Sequence, residues 1–564
     1  MFKISYVKNK KSAVPTTLEG ITKMQNYIPI YQNFFRLSDN NFNNINLNNR
    51  FHASRFIKQE TDNKWICRVK SDTQEKKVPS FLKYSPLIDP VKYLAGKYKN
   101  MEIDILPSFK GTEGHKKIRD GNNSAYVDGF FAFLSSQVLN THRFIHGTDF
   151  YGSFLGIKTK FKYNIIDDLE YLHESEFFRN NKDTTFKLED NYEDFLEDIQ
   201  TRHYRKPLKI TGSIKSLHTE CLDNSIFKDL FKKSAVRTAG VQDLSKNLIF
   251  TMDISTNGVT SPRSSASSKS SACSSRSSHT SHGSESSCDS SGSDFSDESA
   301  SMGSLSMSTL SDDCINATLF NFPVQIICLE ALDDTLDSIM PELSMEEWRS
   351  CFFQVIIILL VYQKLFDFTH NDLHTNNIMY KNTDAKFLFY FYNGKYYKVP
   401  TFGKVYKIID FGRAIYKFKG NIMCSDSFHI KGDAATQYNC EPYLNSNKPR
   451  LEPNKSFDLC RLGCSLFDFF FNGPLEQIEK IADPIAQLVN RWCKDDKGRN
   501  ILYKKNGDER YPEFKLYKMI ARHVHHCPPQ KEIENTMFNK YISSGRKVKK
   551  KRVFNIDKLP TYVK

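Results

Sequence analysis

The sequence predicts an α+β protein in two lobes, a small strand-rich N-terminal lobe and a larger, mainly helical C-terminal lobe. Three observations lead there. Short stretches of alternating apolar and polar residues dominate up to Glu330, a long apolar helix pattern covers Met345–Phe366, and a second begins at Ser456. Between Ser261 and Ser311, about half the residues are serine and few are aliphatic. Such a segment cannot bury enough apolar surface to offset an ordering cost of roughly 1–2 kcal/mol per residue, so it reads as a disordered insert.

The elements follow in order. Residues 1–60 are rich in Asn, Phe and Tyr without clear periodicity and read as an N-terminal extension. KWICRVKS (Lys64–Ser71) alternates as a strand, and VPSFLKYSPL (Val78–Leu87) suits a second. Asp128–Leu139 has the broad apolar face of a helix. Tyr151–Ile157 and Pro323–Glu330 read as strands, with the insert (254–313) between them. These assign 61–332 to the N-lobe and 333–542 to the C-lobe, with a basic tail over 543–564. Ser344 and Glu347 form a capping box for the long helix. Phe387–Tyr392 and Lys395–Pro400, joined at Gly394, make a hairpin leading into the strand Lys404–Asp410.

Composition narrows the class. The 564 residues carry a net charge of +14, most of it spread along the chain. One concentrated run, GRKVKKKR (Gly545–Arg552), reads as a solvated tail, with nuclear import or a nucleic-acid contact as the alternative. The N-terminus lacks an apolar core suited to secretion, so the thirteen cysteines are expected to be reduced thiols. Cys460 and Cys464, one helical turn apart in an apolar pattern, read as core cysteines and not as a metal site. The apolar run Cys351–Tyr362 is short of the roughly 20 residues that span a bilayer, and no membrane association is expected.

Two motifs carry the chemistry: HNDLHTNN (His370–Asn377) and IIDFGRA (Ile408–Ala414). Phosphoryl transfer from ATP needs one carboxylate beside the acceptor hydroxyl, and a second carboxylate with an amide oxygen to hold Mg²⁺ on the phosphates. Asp372, Asp410 and Asn377 are residues of those types, in that order.

These motifs resemble the eukaryotic-type protein kinases. FLKYSPLIDPVKYLAGKY (Phe81–Tyr98), HGTDFYGSFLGIK (His146–Lys158) and THNDLHTNNIMY (Thr369–Tyr380) are similar to the serine/threonine kinases encoded by large nucleocytoplasmic DNA viruses. The resemblance runs from about Ile66 to about Ile542. It implies a bilobal protein-kinase-like fold, ATP and Mg²⁺ as cofactors, and transfer of the γ-phosphate to protein Ser/Thr hydroxyls. It also implies action in the host cytoplasm or in association with the virion. Asp372 would act as base, and Asn377 and Asp410 would hold Mg²⁺. Gly412 would free the backbone after Phe411, and Asp458 would hold the catalytic loop. Leu329, Glu330 and Leu332 would form the adenine-binding hinge. Lys83 would grip the phosphates, with Lys70 as runner-up and Asp128 as acidic partner. Cys440-Glu441-Pro442 would end the activation segment.

The chain departs from that pattern in three places. No glycine lies between Gly20 and Gly96, so any phosphate-binding turn must use other residues, and Asn48–Ser54 is the expected stretch. Asn371 replaces the arginine that often pairs with an activation-loop phosphate, implying activity independent of such phosphorylation. His374, charged only part of the time near pH 7, stands where a lysine is usual. The same His-x-Asp-Leu-His-x-x-Asn string resembles aminoglycoside- and choline-type kinases, leaving a small-molecule kinase as one alternative and a pseudokinase scaffold as another. The serine-rich insert is a candidate for autophosphorylation, with an inert spacer as the alternative.

Overall fold

Most strands up to Glu330 need a partner for their apolar face, and they find it by curling into one antiparallel sheet. A computed structural model of the chain describes residues 6–8, 18–189, 315–471, 478, 481–544 and 552–564. The serine-rich segment and most of the run Gly545–Arg552 lie outside the described residues. The sheet comprises β1 (Ile21–Gln25), β2 (His52–Gln59), β3 (Lys64–Lys70), β4 (Glu75–Pro86), β5 (Phe150–Asn164), β6 (Phe186–Leu188) and β7 (Asn316–Glu330). Its order is β1-β5-β7-β4-β3-β2, with β6 paired to the far part of β7.

Register explains the curl. Trp65 opposes Ser80, Cys67 opposes Val78, and Leu82 opposes Cys328, so these side chains share one face. Trp65, Cys67, Leu82 and Cys328 are buried there, where β2 folds back towards β5. Lys83 opposes Ile327 and so lies on the other face. The β2–β3 hairpin spans the boundary expected near residue 60. Two register shifts in β2, at Ala53/Arg55 and Phe56/Lys58, break the alternation by which the strand would be recognised.

Helix α1 (Ser124–His142) packs on the sheet. It starts a turn earlier than the apolar pattern suggests because Asn123 caps it by accepting from Ala125 N–H. Gly129 sets the approach: a side chain there would collide with the Gln325 amide of β7. Helix α2 (Met345–Phe366) matches its expected bounds, and Ser344 and Glu347 form both halves of the capping box. Contrary to the length argument, α2 is long and apolar enough to cross a membrane, because the helix continues beyond the apolar run at both ends. Yet 94% of its most apolar window is buried inside the protein. It is a core helix, the only one among the described residues to pass that test.

The C-terminal part adds α3 (Phe457–Phe470), α4 (Pro484–Trp492) and α5 (Lys515–His523). Strands β8 (Ile378–Asn382) and β11 (Lys404–Ile408) pair antiparallel; β9 (Phe387–Tyr392) and β10 (Lys395–Pro400) form the expected hairpin between them. The hairpin does not pair with β11. It joins Ile542–Ser543 and Phe554–Asn555 in a separate sheet. Buried Gln354 of α2 holds β11 instead, accepting from Tyr406 N–H at 3.1 Å and donating to Lys404 O at 3.4 Å. The last residues also dock: Tyr562 is buried and its N–H reaches Leu365 O at 2.8 Å. The expected basic tail therefore ends on the core. Among the described residues nine cysteines are free, all of them buried.

Candidate functional site

Lys83 stands on the face of β4 turned towards α1. Its Nζ lies 2.7 Å from Asp128 Oδ2, one turn into α1, and 2.9 Å from Asp410 Oδ1, just beyond β11. Asp128 is buried and uses its other oxygen to accept from Phe411 N–H at 2.8 Å. One carboxylate thus orients the lysine and the backbone beside Asp410. Asp410 has φ 63°, a left-handed conformation, and 46% of its side chain is exposed. Desolvation works to raise the Asp410 carboxyl, but the Lys83 ammonium outweighs it and pulls the pKa down to about 2. Burial leaves Asp128 above the usual carboxylate range in spite of Lys83. Lys70, the runner-up, is exposed at the end of β3 opposite Glu75.

The His370–Asn377 loop is held from below by α3. Asp458, fully buried, accepts from His370 N–H (3.1 and 2.9 Å to its two oxygens) and Asn371 N–H (2.9 Å). His370 Nε2 lies 2.9 Å from Ile409 O, and Ile409 N–H donates to Asn377 O at 3.0 Å. These bonds bring the loop alongside Asp410. Asn377 spends both amide hydrogens on the protein: Nδ2 is 2.9 Å from Asp372 O and 3.1 Å from His374 Nε2.

The surroundings of Asp372 were not legible in the motifs. Tyr517 of α5 donates its hydroxyl to Asp372 Oδ1 at 2.7 Å, and Arg461 of α3 donates Nε–H to the Tyr517 oxygen at 2.9 Å. Arg413 Nη1 is 4.0 Å from Asp372 Oδ2, and its Nη2 is 2.6 Å from Asp433. Burial works to raise the Asp372 carboxyl, but nearby positive charge, Arg413 foremost, brings it below its ordinary value. His374 differs from expectation. Burial depresses it to about 4, so the ring is neutral near pH 7 and Nε2 can accept from Asn377.

The stretch Asn48–Ser54 leads into β2, and the tip of the β2–β3 hairpin is Glu60–Asn63. Asn63 clips it to β4 through Nδ2 to Leu82 O (2.8 Å) and through its own carbonyl to Leu82 N–H (2.7 Å). Asn49 instead donates to Phe150 O at 3.2 Å, and Ser54 donates to Arg68 O at 3.0 Å. Leu329 and Glu330 end β7, and Leu332 is buried just beyond. The Glu330 side chain is ion-paired with Lys407 and, at 3.0 Å, with Lys381, so it serves the junction between the sheet and β8/β11. Its backbone N–H goes to Asp149 O at 2.9 Å.

The segment after Gly412 is tied to α1 by a carboxylate. Asp426 pairs with Lys117 and accepts from Ser124 N–H, at the first turn of α1, at 2.9 Å. Asn371 accepts from Tyr438 OH at 2.7 Å and donates to Arg413 O at 3.1 Å, two bonds that tie the loop to the segment beyond Gly412. Glu441 pairs with Arg450, both at the surface. No short-range pattern marks Asp426, Tyr517 or Arg461, because each acts on a residue far away in the chain. Comparison with protein-family models and with curated proteins finds no match to this chain.

Proposed function

We propose that this protein is an ATP-dependent serine/threonine protein kinase with a protein-kinase-like bilobal fold. The observation that carries the reading is that Lys83, Asp128 and Asp410 meet in one ion-paired cluster and that the loop of Asp372 and Asn377 is bonded alongside it, from segments up to 327 residues apart by number (410 − 83). The sheet order supports it, with α1 inserted between the lysine-bearing strand and the next long strand.

The donor set suits Mg²⁺. That ion takes oxygen ligands and is commonly held by one or two carboxylates together with substrate phosphates. Among the described residues no group of three or more His, Cys, Asp or Glu could hold a metal by itself. Asp410 and the Asn377 oxygen would hold the ion, leaving its other positions for phosphate. When bound, Mg²⁺ neutralises charge on the β- and γ-phosphates. Lys83, oriented by Asp128, binds the phosphates. Asp372 orients the acceptor hydroxyl and takes its proton as the oxygen bonds to the γ-phosphorus. The bond from that phosphorus to the bridging oxygen breaks, and ADP leaves. Neutral His374 adds no positive charge; Arg413 supplies it beside Asp372.

The test is transfer of labelled γ-phosphate to a generic protein acceptor with Mg²⁺, comparing the full chain with Asp372→Asn. Transfer that is lost in the variant supports the reading. Transfer to small metabolites alone would instead indicate the small-molecule alternative, and nucleotide binding without transfer a scaffold. Mapping phosphoserines over 261–311 in the same reaction tests autophosphorylation of the serine-rich segment.

A further inference from the structure

We propose that Tyr517, braced by Arg461, is a positioning residue that decides which oxygen of Asp372 meets the acceptor hydroxyl; this rests on the kinase reading above. The hydrogen positions follow from chemistry. Arginine Nε–H can only donate, and an ionised carboxylate can only accept. Because Arg461 Nε lies 2.9 Å from the Tyr517 oxygen, that oxygen accepts from Arg461, and its own hydrogen points at Asp372 Oδ1, 2.7 Å away. Oδ1 is thereby engaged, and Oδ2 is the oxygen turned to the acceptor.

The brace is rigid. Arg461 is fully buried on α3, and its guanidinium lies 5.1 Å from the Tyr517 ring centre. Phe514 stacks on the same ring at 5.2 Å with planes 17° apart. Arg413 caps the arrangement at 5.7 Å from the Tyr517 ring and 4.0 Å from Oδ2, held there by Asp433. Helix α3 therefore holds the loop twice, through Asp458 on the backbone and through Arg461 and Tyr517 on the reacting side chain. A carboxylate free to rotate would present either oxygen, and misplacement of a reacting group slows transfer steeply.

The test uses the full chain and compares Tyr517→Phe with Tyr503→Phe, which takes a tyrosine hydroxyl from a different carboxylate, Asp468. Tyr517→Phe keeps the ring and removes only the hydroxyl. It should lower kcat about 10- to 100-fold, the range expected for a hydrogen bond to a charged group. The KM for ATP should stay within about twofold, since the phosphate-binding residues are untouched. Tyr503→Phe removes a hydroxyl that donates to Asp468 at 2.8 Å, ten residues along α3 from Asp458, so its kcat should stay within about twofold of the natural chain. If Tyr517→Phe keeps full kcat, or if Tyr503→Phe loses as much, Tyr517 is a packing residue and the inference falls alone. If the unaltered chain transfers no phosphate, the kinase reading falls and takes the inference with it.

Discussion

Asp128 offers the sharpest test of the site because its two oxygens do separate work. Oδ1 takes the buried Phe411 N–H at 2.8 Å, and Oδ2 takes the Lys83 ammonium at 2.7 Å. Asp128→Ala removes both. Stranding the Phe411 amide costs about 1–3 kcal/mol. Lys83 keeps Asp410 at 2.9 Å and is partly exposed, so its share of the loss is smaller, about 1 kcal/mol or less. Asp128→Asn retains an oxygen for Phe411 and loses the charge that orients Lys83. Urea unfolding should therefore separate the two variants, with Asn more stable than Ala by about 1–3 kcal/mol. Phosphate transfer should not separate them: both should fall about 100-fold or more, because Lys83 leans wholly on Asp410 in each. Equal stabilities would show that the Phe411 bond contributes nothing, and an active Asp128→Asn would show that Lys83 needs no orienting carboxylate.

Three other outcomes follow from the same geometry. Asp458→Ala leaves the N–H groups of His370 and Asn371 buried without an acceptor, a loss of about 2–6 kcal/mol measurable by urea unfolding, and transfer should fail even where the variant is folded. Asp426→Ala removes both the acceptor of Ser124 N–H and the partner of Lys117, and should cost about 1–3 kcal/mol by urea unfolding. Buried His146 and His374 both sit at about 4, below their unfolded value, so the unfolded chain binds more protons between pH 6.5 and 4. Stability is then fully present above that window and is lost on acidification, by about 2 kcal/mol per histidine at pH 5, and His374→Gln should remove about half of that slope.

Long elements were legible because burial imposes a period on their side chains. Helix α2 was readable to its caps, since Ser344 and Glu347 are three residues apart and satisfy one another locally. Strand β2 was not, because its bulges shift the register twice within eight residues. His374 was misjudged for a different reason. Its charge depends on burial among residues from several segments, which no motif records.

Chemistry written into adjacent residues was available from the chain alone: the carboxylates of the two motifs, the lysine strand and the apolar helices around them. Which groups meet was decided in three dimensions. Lys83 finds Asp128 and Asp410, Asp458 finds the loop, and Tyr517 finds Asp372 through packing of α3 and α5. The physical reason is range. Backbone geometry and periodicity act over a few residues, whereas a hydrogen bond or ion pair is set by distance in space, and only the folded core brings residues 145 apart, such as Asp372 and Tyr517, within 2.7 Å.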